Sequence, residues 1–345
     1  MSLDVLKKQL ASGQLARLYL LYGDEGWLKT HYCSRIAKAA VDGMESFNFH
    51  RFDGEVDLGR LTAALDNLPM MSRRKCIVLR DVDPDAFKAD QWKEFQTICR
   101  NIPEDAVVVL HYDAVAYSKK SSRWRTLISL AGKTGLAVEI GRQSAAALSR
   151  WLQKGAETQG CFLSPENAEY IVECCGDDMN TLTRELDKFC ARVGSGEIRR
   201  GIIDALAVRS VETSVYDLAR SVTAGNLERA LAVIAELYAQ KADPIFLLST
   251  LSGAVCDLFR ARAARLSGAR ERDIMEAFHV PPNRGFTVRN AMRDAADIPI
   301  AVLREDLSLL LAADQRLKSS GGDGRVVLER LVVEMTRAGK AGRRA

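Results

Sequence analysis

Between positions 17 and 140 the chain switches repeatedly between two hydrophobic rhythms. Arg17-Leu18-Tyr19-Leu20-Leu21-Tyr22 is a short apolar run that stops at Gly23-Asp24. That is the pattern of a buried strand feeding a loop. A helical pattern follows over 25–41. Phe47 to Phe52 alternates apolar and polar positions, which predicts a strand. Leu58, Leu61 and Leu65 recur at spacings of three and four, one face of a helix. Apolar runs at 76–79, 106–110 and 136–140 predict three more strands, with helices over 84–100 and 124–131. Five short apolar strands separated by helices predict a mainly parallel sheet with helices on both faces.

After Gly141 the strand signals stop. The pattern predicts helices over 144–158, 165–175 and 178–193, and a short last segment over 198–208. Ser164-Pro165-Glu166 is a strong helix start, a serine cap followed by a proline in the first turn. From 214 to 336 the pattern is helical almost throughout. Asp243-Pro244 starts one helix, Pro281-Pro282 interrupts another, and Gly321-Gly322-Asp323-Gly324 is the clearest late break. Residues 338–345 are small and basic and predict a frayed end. At 345 residues the chain is long for a single core. The expected organisation is α/β then all-α: a parallel-sheet domain over 1–140, a small helical domain over 141–209, a larger helical domain over 210–337, and a flexible basic tail over 338–345.

Composition changes this picture little. Apolar residues make up 47% and charged residues 27%, ordinary for a globular protein. The net charge of +4 is modest for a dedicated DNA-coating protein, so contact with nucleic acid is expected to be local or shared with partners. No uninterrupted apolar stretch reaches the roughly 18 residues of a membrane span, and no basic segment precedes an apolar one at the start. A cytoplasmic chain without membrane contact is expected. The eight cysteines include no Cys-x-x-Cys pair and fit no zinc spacing. They read as reduced, mostly buried thiols, and no metal or other cofactor is expected.

The stretch after the first strand, Gly23-Asp24-Glu25-Gly26-Trp27-Leu28-Lys29-Thr30, has the frame of a phosphate-binding loop. That loop needs two glycines for close backbone approach to phosphate, a lysine for the terminal phosphates and a hydroxyl for magnesium. Gly23, Lys29 and Thr30 are in place. Leu28 stands where the second glycine belongs, and its side chain would crowd the phosphate. Asp24 and Glu25 add negative charge where an anion should sit. A paired Asp-Glu for magnesium and water activation is also missing. Arg80-Asp81-Val82-Asp83 is the nearest candidate, with the wrong pairing. The residues point to a strand-to-helix turn that has lost nucleotide binding.

Five segments in order resemble the delta-subunit family of bacterial DNA polymerase III clamp loaders. They are Leu18 to Glu25 with Leu28, Leu68-Pro69-Met70-Met71-Ser72-Arg73-Arg74, Gly176 to Leu182 with Glu185-Leu186-Asp187-Lys188, Tyr216-Asp217-Leu218 with 225–231, and Asp314-Gln315-Arg316-Leu317-Lys318. The resemblance implies an AAA+-like (P-loop NTPase-type) parallel-sheet domain, a three-helix lid-like domain and a helical collar that joins a five-subunit ring. It implies a subunit without ATPase activity that binds and opens the sliding clamp (beta). Its other partners would be the gamma/tau and delta-prime loader subunits, and primed DNA within the assembled complex. It would be part of a DNA polymerase holoenzyme without catalysis of its own.

The resemblance places the clamp-binding residues at Leu68, Pro69, Met70, Met71, Ser72 and Arg73. Methionine stands at both positions where the family commonly has aromatics. It is unbranched and polarizable and fills an apolar pocket adaptively, but lacks the rigid bulk of an aromatic anchor. Read without the family, both methionines fit better as core residues packed between helix and strand. Arg73 and Arg74 could meet acidic groups on a clamp or cap a helix end. A basic run, Arg260, Arg262, Arg265, Arg270 and Arg272, reads as a solvated helix face or as phosphate contacts. Two further functions stand beside the first: an active AAA+ ATPase of a related replication or repair complex, and a helical scaffold outside replication.

Overall fold

The computed structural model describes residues 2–280, 285–319 and 323–342. The chain divides into two compact units, residues 1–142 and 143–345. The first contains α1 (Ser2–Ser12), β1 (Leu18–Tyr22), α2 (Gly26–Ala40), α3 (Glu45–Asn48), β2 (Phe49–Asp53), α4 (Leu58–Asp66), β3 (Lys75–Arg80), α5 (Ala89–Arg100), β4 (Ala106–His111), α6 (Ser122–Thr134) and β5 (Leu136–Glu139). The five strands form one parallel sheet in the order β2-β3-β4-β1-β5.

Burial explains the sheet. Every residue of β1 and β4 is buried, as a parallel sheet covered on both faces requires. Leu18, Leu20, Ile77, Leu79, Val108 and Leu110 pack with α4, α5 and α6 residues around Phe95, Trp124 and Leu127. The alternate side chains, such as Tyr19, Leu21, Val78 and Val109, are also buried, on the side where α1 and α2 lie against the strands.

The second unit contains α7 (Ala145–Thr158), β6 (Cys161–Phe162), α8 (Pro165–Cys175), α9 (Met179–Val193), β7 (Gly196–Glu197) and α10 (Arg200–Leu206). It continues with α11 (Val211–Thr223), α12 (Leu227–Ala239), α13 (Pro244–Ser267), α14 (Glu271–Ala277), α15 (Gly285–Asp294), α16 (Ile300–Ser319) and α17 (Gly324–Gly342). Its main core joins Val215 and Val222 of α11, Leu237 of α12, Leu251 and Val255 of α13, Leu303 of α16 and Met335 of α17. Helix starts follow their caps. Ser164, Asp178, Ser210 and Asp243 each accept a backbone N–H of the first turn. α13 has the length and apolar character of a membrane span, yet Leu247, Leu251, Val255 and Leu258 are spent inside this core.

Four sequence expectations are corrected. The second strand begins at Phe49, because Phe47 and Asn48 belong to the short helix α3. The helix expected from position 84 begins at Ala89. Arg123 takes the carbonyls of Pro84, Asp85 and Phe87 at 2.9, 3.2 and 2.6 Å, which a helix there would use itself. Strands do not end at residue 141: Cys161 and Phe162 pair in parallel with Gly196 and Glu197, and two-residue strands carry no periodicity to read. The basic segment from 338 is helical through Gly342. Ala338 is buried, and Gly339 lies so close to the Val222 carbonyl that a Cβ there would come within 2.5 Å of it. The expected interruption at Pro281-Pro282, the turn residues Ser320, Gly321 and Gly322, and residues 343–345 lie outside the described residues. The eight cysteines are unpaired, six of them buried, and no cluster of metal-binding side chains occurs among the described residues.

One buried charge bears on stability. Asp306 on α16 is fully buried, and neither carboxylate oxygen has a hydrogen-bond partner. Burial, reinforced by the charge of Glu305, pushes its pKa from 3.8 up to about 7. A carboxyl raised in the folded state favours folding most when protonated, so its contribution is lost as pH rises from about 4 through 7. Asp306→Asn removes the buried charge and keeps a neutral group of the same shape, so it should stabilise the chain at pH 8 by about 1–3 kcal/mol, at about 1.4 kcal/mol for each pH unit by which the carboxyl is raised. The gain should shrink at pH 5. Thermal melts at both pH values check this.

Candidate functional site

Two places in the first unit carry unusual chemistry. The first is the loop of residues 67–74 between α4 and β3. Leu68, Met70 and Met71 are 85%, 49% and 84% exposed, so the two methionines are surface residues. Pro69 and Ser72 are half-buried and Arg73 is exposed.

Exposed apolar side chains do not hold a loop in shape, and here polar groups do so at three points. At the base, α4 ends at Asp66, and its last turn leaves carbonyls without helical partners. The ammonium of Lys75, buried at the first position of β3, donates to the carbonyls of Leu65 and Asn67. A cation at a helix C-terminus also complements the helix dipole. Burial lowers the Lys75 pKa from its ordinary value, while Asp105 and Asp66 oppose that shift.

In the middle, Asn48 is 1% exposed. Its Oδ1 accepts the Met70 N–H at 2.7 Å, and its Nδ2 donates to the Met70 carbonyl at 2.7 Å. The same amide donates to the Gly43 carbonyl at 2.7 Å. At the far end, Asp42 Oδ1 accepts the Ser72 hydroxyl at 2.7 Å and the Arg73 N–H at 3.0 Å. Those two donors, Ser72 first, hold the Asp42 carboxyl below the usual carboxylate range. Met71 takes a left-handed backbone conformation, φ 49°, uncommon for a residue with a Cβ and found where surrounding structure enforces it. Arg74 turns back to the Leu15 carbonyl at 3.4 Å, and Arg73 stays in solvent near Asp42 at 3.7 Å. Neither arginine caps a helix; Lys75 does.

The second place is the crevice at the carboxyl ends of β1, β3 and β4, where ligands bind in open parallel sheets. Gly23 has φ 110°, and a Cβ there would come within 2.6 Å of the Ile140 carbonyl oxygen. Leu28 is buried, Lys29 is 3% exposed, and Thr30 faces solvent. The Lys29 ammonium donates to the Gly23 carbonyl at 2.7 Å and lies 3.6 Å from Asp113 Oδ1. Asp113 also pairs with Arg80 at 3.3 Å. Its carboxylate sits beside Gly26, the first residue of α2, close enough that a Cβ there would come within 2.8 Å of Oδ1. A helix N-terminus attracts an anion, and here the protein supplies its own.

Behind it, Asp81 Oδ1 accepts the N–H groups of Asp113, Ala114 and Val115 at 2.6, 2.8 and 3.1 Å. Burial pushes the Asp81 carboxyl up, but these donors and Arg80 outweigh it and hold the pKa below its ordinary value. His111 is buried, and burial lowers its pKa. The sequence motif thus comes together only in part. Gly23 and Lys29 meet, Thr30 points away, and the lysine is spent on the protein itself.

Asn48, Asp42 and Lys75 were not singled out from sequence. A lysine opening an otherwise apolar strand and an asparagine inside an alternating run are weak signals, and their partners lie 8 to 31 residues away. Of the basic run, Arg260 pairs with Asp257 at 3.3 Å and stacks over Phe278, and Arg262 donates to the Ala296 carbonyl. Arg265, Arg270 and Arg272 are exposed.

Two family models match the chain. One, described as DNA polymerase III, delta subunit, covers residues 19–138, which include both places. The other, described as DNA polymerase III delta subunit, C-terminal domain, covers residues 212–335. DNA polymerase III subunit delta of Bacillus subtilis is 23% identical over 336 residues, 95% of each chain. The Escherichia coli subunit of the same name is 20% identical over 251 residues, 72% of this chain and 71% of that one. The solved structure of the Bacillus subtilis DNA clamp loader delta protein matches with a TM-score of 0.58 at 21% identity, over 98% of this chain and all of that one. That likeness is one of fold.

The crevice yields a direct expectation. A ligand at a hundred times its dissociation constant adds about 2.7 kcal/mol of stability. Millimolar ATP with magnesium should leave the melting temperature of the chain unchanged. Lys29→Met should destabilise it by about 1–3 kcal/mol with or without nucleotide, by stranding a carbonyl and a carboxylate. An upward shift with ATP that Lys29→Met abolishes would contradict this.

Proposed function

Because the chain belongs to the DNA polymerase III delta-subunit family, we propose that it binds the sliding clamp through residues 68–73 and opens it for loading onto primed DNA, without hydrolysing ATP itself. The observation that carries this reading is the apolar tip Leu68, Met70 and Met71, exposed on a loop fixed from below by Lys75, Asn48 and Asp42. A protein leaves adjacent large apolar side chains in water on a shaped loop when a partner covers them. Burying a methionine or leucine side chain contributes about 1.5–3 kcal/mol. Three together offset part of the cost of parting a clamp interface. A loop already in shape loses little conformational entropy on docking.

The AAA+-like sheet serves as the rigid mount for this tip. The lid-like segment, residues 141–209, and the collar, residues 210–337, hold the subunit in a ring with the gamma/tau and delta-prime subunits. ATP-driven neighbours then control when the tip is reached. Primed DNA is met inside that assembled complex, and the site of action is the cytoplasm. An ATPase role is the weaker reading, since Lys29 is already engaged by Gly23 and Asp113.

Clamp affinity and thermal melting of Met70→Ser/Met71→Ser, measured together, test the docking role. Truncating interface anchors costs about 2 kcal/mol or more each, roughly thirtyfold in affinity. The expected outcome is a large loss of clamp binding with an unchanged melting temperature. Full clamp affinity in the folded variant would remove residues 68–73 from the interface. A second test uses a fragment of residues 1–142, which has its own core. It should bind the clamp and fail to enter the loader ring. Entry into the ring would refute the collar assignment.

A further inference from the structure

Among the described residues of the first unit, six large apolar side chains are exposed. Five come from two loops: Met44 and Phe47 from residues 41–48, and Leu68, Met70 and Met71 from residues 67–74. The concentration needs an explanation, since scattered exposed apolar residues are the ordinary case.

The two loops are one body. Asn48 Oδ1 accepts the Met70 N–H, and its Nδ2 donates to the carbonyls of Met70, Gly43 and Met44 at 2.7, 2.7 and 3.2 Å. Asp42 holds Ser72 and Arg73. Gly43 lies so close to Met71 that a Cβ at 43 would come within 2.4 Å of the Met71 carbonyl oxygen. Met44 and Met71 both adopt left-handed backbone, φ 43° and 49°. Each segment thus carries an exposed methionine on a left-handed backbone, beside the hydrogen bonds that join the two.

We infer that the docking surface is composite: the 41–48 loop, fixed to the 67–74 loop through Asn48, adds Met44 and Phe47 to the apolar face that meets the sliding clamp. This rests on the clamp-docking reading above. A standard interface covers about 800 Å² on each partner, far more than Leu68, Met70 and Met71 supply. A partner seated on Met70 and Met71 reaches the adjoining loop next, and finds a phenylalanine there that is 56% exposed. Aromatic anchors are enriched at such centres. Phe47 supplies the rigid ring that the two methionines lack. Asn48 touches no partner and acts as the positioning residue for both halves.

The test uses the full chain and the purified sliding clamp of the same cell. Met44→Ser/Phe47→Ser should keep the wild-type melting temperature, because both side chains are exposed, and should weaken clamp binding about tenfold or more. Asn48→Ala should also weaken binding. Combined with Met70→Ser/Met71→Ser, its loss should be smaller than the product of the separate losses, because Asn48 works through those side chains. Wild-type affinity in Met44→Ser/Phe47→Ser, with Met70→Ser/Met71→Ser weakened, overturns the composite surface and leaves the docking reading intact. Wild-type affinity in both pairs overturns the docking reading, and this inference with it. Fully multiplying losses for Asn48→Ala overturn its positioning role.

Discussion

A buried side-chain amide paired with both backbone groups of one residue does the work of a missing strand neighbour. Asn48 does this for Met70. Residues 67–74 leave α4 and enter β3 without any regular hydrogen-bonded partner of their own, and their largest side chains point into water. Asn48 on Met70, Lys75 on the α4 carbonyls and Asp42 on Ser72 and Arg73 hold the loop backbone at three points. Buried amides are costly when unpaired, and Asn48 is paired on both its oxygen and its nitrogen. The same amide also fixes where β2 starts, because Asn48 is bound before the chain reaches the sheet.

The sheet beneath carries the frame of a phosphate-binding loop at its carboxyl edge. Its crevice keeps the strand, the turn and the lysine, but each charge is answered from within. Lys29 closes on Gly23 and Asp113, Arg80 closes on Asp113, and Asp81 gathers three backbone N–H groups. Lys29 and Arg80, the two cations placed there, are thus both engaged within the protein. These pairings lock the carboxyl ends of β1, β3 and β4 together, and β3 carries Lys75 at its opposite end. The crevice and the 67–74 loop are therefore tied to the same strand.

Much of this was readable in the chain. The apolar runs of β1, β3 and β4 announce a buried parallel sheet. The fold class, α/β then helical, follows from those rhythms. What local pattern could not carry are contacts across distance. Arg123 stops a helix at 84–88 from 36 to 39 residues away. Asn48 looks like one polar position of an alternating strand, and only Met70, 22 residues on, makes it something else. The run Leu68-Pro69-Met70-Met71 reads by itself as core, yet its large side chains are exposed, because apolar composition is silent on which way a loop turns. Its exposure is decided by polar residues outside it. The helical end at 338–342 was missed for a similar reason: Ala338 and Gly339 look like a frayed tail until α11 is seen beside them.

The hydrogen bonds from Asn48, Asp42 and Lys75 imply that the 67–74 loop has its shape before any partner arrives. Amide hydrogen exchange at Met70 and Arg73, whose N–H groups are held by Asn48 and Asp42, measures this directly. In the free chain both amides should already be protected, and adding the sliding clamp should change their exchange little while slowing that of Leu68 and Met71 beside them. Fast exchange at Met70 and Arg73 in the free chain, with protection only when the clamp is added, would mean that the partner moulds the loop, and the account would be wrong.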